Sequence, residues 1–260
     1  MTEPIALVPT MGALHAGHLE LIKRARELTP QVVVSIFVNP LQFENQEDLE
    51  KYPRDLKGDT EKALAAGAIR VWTPTYQEIY PGEITKISAG TIGEIFEGRE
   101  RSGHFDGVLT VVSRLFDLIK PHFAIFGEKD FQQLFIVKKW VRESQVPVEI
   151  ISVPTVRGPG GIALSSRNQR LTPADLRSAL IIHKALGTGT KAGMLETLAT
   201  EPNFHLDYAE VIDEKTFEVA GSNTQFPRGI VAGWINGIRL IDNMPMFNAP
   251  TINLQAGSLL

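Results

Sequence analysis

Short apolar runs alternate with amphipathic stretches over roughly the first 150 residues of the chain. The runs are too short for buried helices and lack the polar alternation of half-exposed strands, so they indicate strands buried on both faces. Between them, apolar residues recur at helical spacing. This alternation predicts an α/β fold, with a parallel five-stranded sheet covered by helices on both faces. The strands are predicted at 5–8, 32–38, 69–73, 122–126 and 148–153.

The pattern changes after the glycine-rich segment 157–161. A helix is predicted over 173–186, followed by three strands, and Asn236-Gly237 is typical of a type I′ hairpin turn. We therefore predict two domains, with residues 1–157 carrying the parallel sheet and residues 158–260 forming a smaller α+β domain. The three later strands are predicted near 206–212, 230–235 and 238–241.

Composition excludes several classes of protein. A formal net charge of -4 leaves no general basic field for nucleic acid, so an anion site must be local. The absence of Cys excludes disulfides, thiolate metal sites and a cysteine nucleophile. No apolar run approaches the roughly 18 residues of a membrane span, and the first residues do not resemble a signal peptide. We expect a cytoplasmic protein that binds neither nucleic acid nor a membrane.

His15 and His18 stand three residues apart where the first helix is predicted to begin, so both can lie on one face. The unpaired amides of a helix N-terminus favour an anion, and two imidazoles beside them suit phosphate. The same spacing fits two zinc ligands, although no third ligand is evident nearby. A phosphate site, a metal site and a structural role all stay open at this point.

Other polar residues follow predicted strands. Gln42 and Lys129 do so, and the carboxyl ends of parallel strands meet at one edge of a sheet, where ligands bind. Lys129 suits phosphate or is simply solvated. The segment 165–167 offers two hydroxyls and a guanidinium for phosphate, or forms a polar surface turn. His104 is a candidate gate residue or a helix cap.

The pattern Thr10-x-Gly12-x-x-His15-x-Gly17-His18 is similar to the nucleotide-binding motif of the nucleotidylyltransferase superfamily. Further motifs are PTMGALH at 9–15, FVNPLQF at 37–43, YPR at 52–54, GHF at 103–105, GEKDFQQ at 127–133, LSSRN at 164–168 and LIDN at 240–243. Together these motifs resemble one family of that superfamily, the pantothenate synthetases (pantoate–β-alanine ligases). The resemblance implies a Rossmann-like fold.

The resemblance implies a two-step ligation. Pantoate attacks the α-phosphorus of ATP, which releases pyrophosphate and leaves pantoyl adenylate, and β-alanine then displaces AMP to give pantothenate. Family members are homodimers that use Mg²⁺, with a C-terminal domain that closes over the site. The metal ligands are not identifiable from the sequence, although Asp59 and Asp130 are candidates.

The resemblance also assigns site residues. His18 is implied as the proton donor, and fixed positive groups and donors suit the charge that gathers on the phosphates. The implied catalytic residues are His15, His18, Lys129, Ser165, Ser166 and Arg167. The implied ATP-binding residues are Met11, Gly12, Ala13, Leu14, His15, Ala16, Gly17, His18, Gly127, Glu128, Lys129, Asp130, Val156, Leu164, Ser165, Ser166 and Arg167. The expected substrate-binding residues are Asn39, Gln42, His104 and Gln133.

Two rival functions remain. One is an adenylyltransferase of the same superfamily that uses no second acceptor. The other is a non-catalytic module that senses ATP, which a complete set of phosphate-binding side chains argues against.

Overall fold

The computed structural model describes residues 3–43, 46–50 and 52–246. It confirms the α/β fold, because five strands separated by helices form one sheet. These strands are β1 (Ile5–Thr10), β2 (Gln31–Ile36), β3 (Arg70–Trp72), β4 (Phe123–Gly127) and β5 (Glu149–Val153). The α-helices of the described residues are α1 (Ala16–Leu28), α2 (Gln46–Glu50), α3 (Leu56–Ala65), α4 (Tyr76–Ile79), α5 (Glu97–Glu100), α6 (His104–Ile119), α7 (Phe131–Glu143), α8 (Pro173–Leu186) and α9 (Lys191–Leu198).

The sheet has the order β3-β2-β1-β4-β5, and every neighbouring pair is parallel. The central strand β1 shows why its sequence is apolar throughout. Leu7 packs in a core with residues of α6 and α7, whereas Ala6 and Val8 pack in a second core with residues of α1 and α3. Helices therefore cover both faces, and the carboxyl ends of β1, β2 and β4 lie next to one another.

The later part of the chain contains an antiparallel sheet of order β6-β7-β8, formed by β6 (Phe204–Asp213), β7 (Pro227–Ile235) and β8 (Ile238–Pro245). The predicted hairpin between β7 and β8 is confirmed. Asn236 and Gly237 have φ values of +48° and +71°, and a type I′ turn requires positive φ at both positions.

The chain divides into two compact units, Met1–Leu176 and Arg177–Leu260. Residues 158–176 thus cluster with the first unit, so this division lies later than the boundary predicted between 157 and 158. The segment is tied back to the residues that follow β5, since Arg157 pairs with Ala163 and the Leu164 N–H donates to the Val156 carbonyl at 3.0 Å.

Local capping explains where two of the helices begin. Helix α3 begins at Leu56, because the Asp55 side chain accepts the Gly58 N–H at 3.0 Å. Helix α9 was not predicted, and Thr190 caps it through the Gly193 N–H. None of the helices among the described residues is long and apolar enough to span a membrane.

Candidate active site

A cavity of about 250 Å³ lies in the first unit at the carboxyl ends of β1, β4 and β5. Most of the predicted site residues line it, although they come from segments more than a hundred residues apart in the sequence. The predicted residues that line the cavity are Met11, His15, Gly17, His18, Gln42, His104, Gly127, Lys129, Asp130, Gln133, Val156, Leu164, Ser165, Ser166 and Arg167.

Six predicted site residues do not line this cavity. Leu14 is only 2% exposed and packs in the core with Ala6 and Val8, which explains its position behind the cavity wall. Gly12 and Ala13 form the turn that precedes Leu14 in the sequence, and both have positive φ values. The remaining three are Ala16, Glu128 and Asn39.

The side chains of His15 and His18 form a capping box at the start of α1, in which each ring accepts a backbone N–H group. The Nδ1 of His15 accepts the Gly17 N–H at 3.1 Å, and the Nδ1 of His18 accepts the His15 N–H at 3.3 Å. Because each Nδ1 is an acceptor, the ring proton of each neutral imidazole lies on Nε2. The backbone N–H groups of His15 and Gly17, at the N-terminus of α1, therefore donate to the histidine rings rather than to an anion.

Both imidazoles are neutral near pH 7. Burial, together with the charge of Lys129, lowers the pKa of His15 to about 4. Burial and the neighbouring His15 lower the pKa of His18 to about 3. The two side chains therefore offer hydrogen-bond donors rather than fixed positive charges, until an anion raises their pKa values.

Lys129 and Asp130 form an ion pair at the entrance to α7, with 3.6 Å between Nζ and Oδ1. Desolvation in the cavity raises the pKa of Asp130, but the charges of Lys129, Arg167 and Arg101 outweigh that effect, so its pKa lies below the usual value. Asp130 is therefore ionised at neutral pH. The cavity combines several cations with one ionised carboxylate.

The loop at 165–167 is fixed by its own hydrogen bonds. The Ser165 hydroxyl accepts the Arg167 N–H at 3.3 Å, and the Asn168 amide donates to the Ala163 carbonyl at 3.0 Å. The Ser166 hydroxyl is hydrogen-bonded to Tyr52. These bonds present Ser165, Ser166 and Arg167 on the cavity wall rather than on a solvated surface turn.

Asn39 supports the cavity from behind rather than lining it. It is 0% exposed, and its Nδ2 donates to Gln42 Oε1 and to the Gly107 carbonyl, each at 3.0 Å. Its Oδ1 accepts the Tyr80 hydroxyl at 3.0 Å. The bond to Gln42 occupies the amide oxygen of that side chain, which leaves its NH₂ group as the part available to a ligand.

His104 is the first residue of α6, and its buried ring holds the segment that carries Gln42. Its Nδ1 donates to the Gln42 carbonyl over 2.9 Å, so the proton of the neutral ring lies on Nδ1. Burial and the charge of Arg101 lower the pKa of His104 to about 3. His104 therefore contributes a neutral ring that can accept a hydrogen bond at Nε2.

The adjacent glutamines of α7 have different positions. Gln133 lines the cavity. Gln132 is buried, and its amide donates to the carbonyls of Ile92 and Ile95 while its oxygen accepts the Glu97 N–H. The family resemblance implied Gln133 as the substrate-binding residue. Adjacent residues of a helix point in different directions, so Gln132 faces the 92–97 segment instead.

The proposed metal role of Asp59 does not fit the structure. Its two carboxylate oxygens accept the backbone N–H groups of Ala13 and Leu14, each at 2.7 Å, and the side chain is only 1% exposed. Within the described ranges, no group of three or more His, Asp or Glu side chains could hold a metal ion. Asp130 does line the cavity, and a single carboxylate beside substrate phosphates is a common arrangement for Mg²⁺.

Comparison with known proteins identifies the family to which these residues belong. The family described as Pantoate-beta-alanine ligase matches residues 1–245 of the sequence. This chain is a member of the pantoate-beta-alanine ligase family. The pantothenate synthetase of Acidothermus cellulolyticus is 46% identical over 265 residues, which cover 96% of this chain and 88% of the relative.

Two solved structures of the family have the same fold. The pantothenate synthetase of Thermus thermophilus matches with a TM-score of 0.89 and 42% identity, over 95% of this chain and 94% of its own. A pantoate-beta-alanine ligase from Francisella tularensis, complexed with beta-gamma ATP and beta-alanine, matches with a TM-score of 0.82 and 36% identity, over 96% and 92% of the two chains.

In this member of the ligase family, the cavity also includes residues for which the sequence indicated no role. Tyr52 lies in the YPR motif, but a lone tyrosine in a charged segment gives no sign of its bond to Ser166. Arg101 lies in a loop rich in charges of both signs. Helix α6 supplies an apolar wall through Val108, Val111, Val112 and Leu115, which sequence periodicity alone assigns to the core.

Proposed function

We propose that this chain condenses (R)-pantoate with β-alanine to pantothenate, with ATP as the second substrate and pantoyl adenylate as the intermediate. AMP and pyrophosphate are the other products. Membership of the ligase family supports the overall reaction. The single observation that carries the assignment is that His15, His18, Lys129, Arg167 and the serine pair all line one cavity.

The ATP subsite is proposed on the side of the cavity formed by α1 and the 165–167 loop. Lys129 and Arg167 provide permanent positive charge, and Ser165 and Ser166 provide hydroxyl donors. The imidazoles add two neutral Nε2–H donors, whose positions the capping box fixes. Preorganised donors of this kind stabilise charge in a transition state more than they stabilise the bound substrate.

In the first step, a pantoate carboxylate oxygen forms a bond to the α-phosphorus. The bond from that phosphorus to the oxygen bridging toward the β-phosphate breaks, and pyrophosphate leaves with the electron pair. Negative charge on the phosphoryl oxygens is stabilised by Lys129, Arg167 and the two imidazoles. We assign to His18 the donation of a hydrogen bond from Nε2, because its lowered pKa of about 3 leaves it neutral near pH 7.

In the second step, the β-alanine amine attacks the pantoyl carbonyl carbon, and the bond from that carbon to the AMP oxygen breaks. We propose that Gln42 and Gln133 bind pantoate through neutral amides, which pair with its hydroxyl groups without taking their protons. Gln42 also faces β-alanine. His104 contributes an acceptor at Nε2, and Asn39 acts on the substrate through Gln42.

Mg²⁺ is proposed as the cofactor, and Asp130 is the residue of this chain that would help hold it. When bound, Mg²⁺ neutralises charge on the ATP phosphates. Asp130 meets the requirement of an ionised carboxylate in the cavity, since the neighbouring cations lower its pKa. A homodimer and closure of the C-terminal domain over the site are proposed on the family resemblance alone. The start of that domain at residue 158 and a cytoplasmic location are proposed from the sequence pattern and composition.

The experiment that tests the function measures the formation of AMP and of pyrophosphate from ATP and pantoate, with and without β-alanine. We expect sustained turnover only when both acids are present, with pantothenate and AMP formed in equal amounts. Sustained pyrophosphate release without β-alanine, with the adenylate accumulating as the product and no AMP set free, would instead identify an adenylyltransferase. ATP binding with neither AMP nor pyrophosphate formed in either mixture would identify a nucleotide-sensing module.

A further inference from the structure

Helix α3 lies against the turn that precedes the two active-site imidazoles, and it contacts three consecutive peptide groups of that turn. Asp59 accepts the N–H groups of Ala13 and Leu14, each at 2.7 Å. One helical turn later, the Nζ of Lys62 donates to the Leu14 carbonyl at 3.1 Å. Asp59 is buried, and neither residue lines the cavity.

The turn adopts a conformation that needs such contacts. Gly12 and Ala13 have φ values of +90° and +51°, and the second is unusual for a residue with a side chain. A Cβ on Gly12 would lie 3.1 Å from Asp59 Oδ2, which shows how closely the carboxylate approaches the backbone. The carboxylate therefore favours this turn over the extended or helical alternatives that Ala13 prefers by itself.

The contact with Lys62 connects the turn to the histidine pair through one rigid group. The carbonyl of Leu14 and the N–H of His15 belong to the same planar peptide unit. Lys62 binds the carbonyl end, while the N–H end donates to Nδ1 of His18 at 3.3 Å. Fixing one end of this unit fixes the direction in which the other end points.

We infer that Asp59 and Lys62 are positioning residues, which act through the 12–15 turn to keep the His15 and His18 imidazoles in their Nε2–H tautomers and aimed at the cavity. The consequence for adenylation rests on the proposed function. The consequence for the tautomers does not, because it concerns only hydrogen bonds within this chain. Asp59 thus has a defined part in the site without binding a metal.

The test compares D59N and K62M with the wild-type protein, with D55A as the matched control. In D59N an NH₂ group replaces one acceptor that faces an amide hydrogen, while the shape of the side chain is kept. K62M removes the bond to the Leu14 carbonyl but keeps a side chain of similar length. Asp55 caps the same helix through Gly58, so D55A weakens α3 without removing either contact to the turn.

The first readout is the ¹⁵N chemical shift of the His15 and His18 ring nitrogens at neutral pH, measured without substrates and assigned with H15A and H18A. We expect wild type and D55A to show protonated Nε2 and unprotonated Nδ1. D59N and K62M should show averaged shifts, as mixed tautomers produce. Wild-type shifts in both variants, or averaged shifts in D55A, would overturn the inference.

The second readout is pantoate-dependent pyrophosphate release. We expect kcat to fall about 100-fold in D59N, and less in K62M, because a misplaced catalytic group reduces rate strongly, while KM for pantoate stays within about twofold. If kcat falls equally in D55A, weakening of α3 alone explains the loss of rate, which contradicts the inference. If D59N does not fold, the test rests on the ¹⁵N shifts of the His18 ring in K62M. Wild-type shifts in that variant contradict the positioning role.

If wild type shows no pantoate-dependent pyrophosphate release at all, the proposed function fails by itself. The ring-nitrogen shifts then still decide whether α3 positions the histidine pair. The two failures are therefore distinguishable.

Discussion

Individual hydrogen bonds determine what each side chain of this site can offer a ligand. The Nδ1 atoms of His15 and His18 accept backbone N–H groups, whereas Nδ1 of His104 donates to a backbone carbonyl. The first two rings therefore present donors at Nε2, and the third presents an acceptor. Phosphate oxygens need donors, so the two imidazoles of α1 suit the triphosphate and His104 suits a substrate donor group.

The first prediction concerns His18. We expect H18A to lower the rate of adenylation about 100- to 1000-fold, the usual effect of removing one donor to a transition-state oxyanion. ATP affinity should change only a few-fold, since the ring is neutral and contributes no fixed charge. Single-turnover kinetics and equilibrium binding of a non-hydrolysable ATP analogue measure the two effects, and equal losses would make His18 a ground-state ligand only.

The second prediction compares the adjacent glutamines of α7. Q133A should weaken pantoate binding and leave both ATP affinity and the free energy of unfolding nearly unchanged. Q132A should lower the free energy of unfolding by about 1–3 kcal/mol, because it leaves the carbonyls of Ile92 and Ile95 and the Glu97 N–H without their partner. Calorimetry and denaturant unfolding provide the measurements, and a reversal of the two effects would contradict the placement.

At the scale of secondary structure, the sheet explains how segments far apart in the sequence build one site. The strands β1 and β4 are neighbours, so the turn after β1 and the turn after β4 open into the same cavity. A second connection runs between segments that contain no strand, where Tyr52 reaches Ser166. That bond joins the chain just before α3 to the 165–167 loop.

The third prediction tests this connection. Y52F keeps the ring, which packs edge-on against Phe43 with 5.7 Å between ring centroids, but removes the hydroxyl. Loss of one neutral hydrogen bond of about 0.5–1.5 kcal/mol corresponds to a two- to tenfold higher KM for ATP. Steady-state kinetics measures it. An unchanged KM would show that the 165–167 loop holds its geometry without Tyr52, and the pantoate KM serves as the internal control.

Much of the fold follows from the sequence because buried parallel strands have a distinctive apolar pattern. The sites at the strand ends follow too, since Lys129 and Gln42 come within a few residues of the ends of β4 and β2. The direction in which each side chain points cannot be predicted from the sequence in the same way. Asn39 and Gln42 lie in one motif, yet only the structure shows that Asn39 is buried and binds the Gln42 amide oxygen.

Other features depend on contacts that no local pattern records. Asp59 lies in a charged segment and pairs with backbone groups 45 and 46 residues away in the sequence. Helix α9 has little amphipathic character and contains Gly193, so its pattern does not distinguish it from a loop. The partners of Asp59, and the packing of α9 against β6, are seen only in the structure.

At the scale of the whole molecule, the site affects stability as well as chemistry. The pKa values of His15, His18 and His104 are lowered to about 4, 3 and 3 in the folded chain, from an ordinary value of 6.5. Below pH 6.5 the unfolded chain therefore binds protons that the folded chain excludes. Stability must then rise with pH and fall on acidification.

The fourth prediction follows from that sign. The free energy of unfolding should decrease as the pH falls from about 6.5 toward 4, by at most about 1.4 kcal/mol per pH unit for each neutral imidazole. In H104Q the free energy of unfolding should fall less steeply with decreasing pH, by up to about 1.4 kcal/mol per pH unit, because one neutral imidazole is missing. Urea unfolding at a series of pH values measures it, and a free energy that stays constant over this range would contradict the neutral state of the buried rings.

The central claim is that the carboxylate of pantoate attacks the α-phosphorus of ATP in this cavity. The most direct measurement follows ¹⁸O from labelled pantoate carboxylate during turnover with ATP and β-alanine. An oxygen of that carboxylate bonds to phosphorus in the adenylate and stays there when the amine displaces AMP. The account predicts one pantoate oxygen in each AMP formed, and AMP that contains no oxygen from pantoate would contradict it.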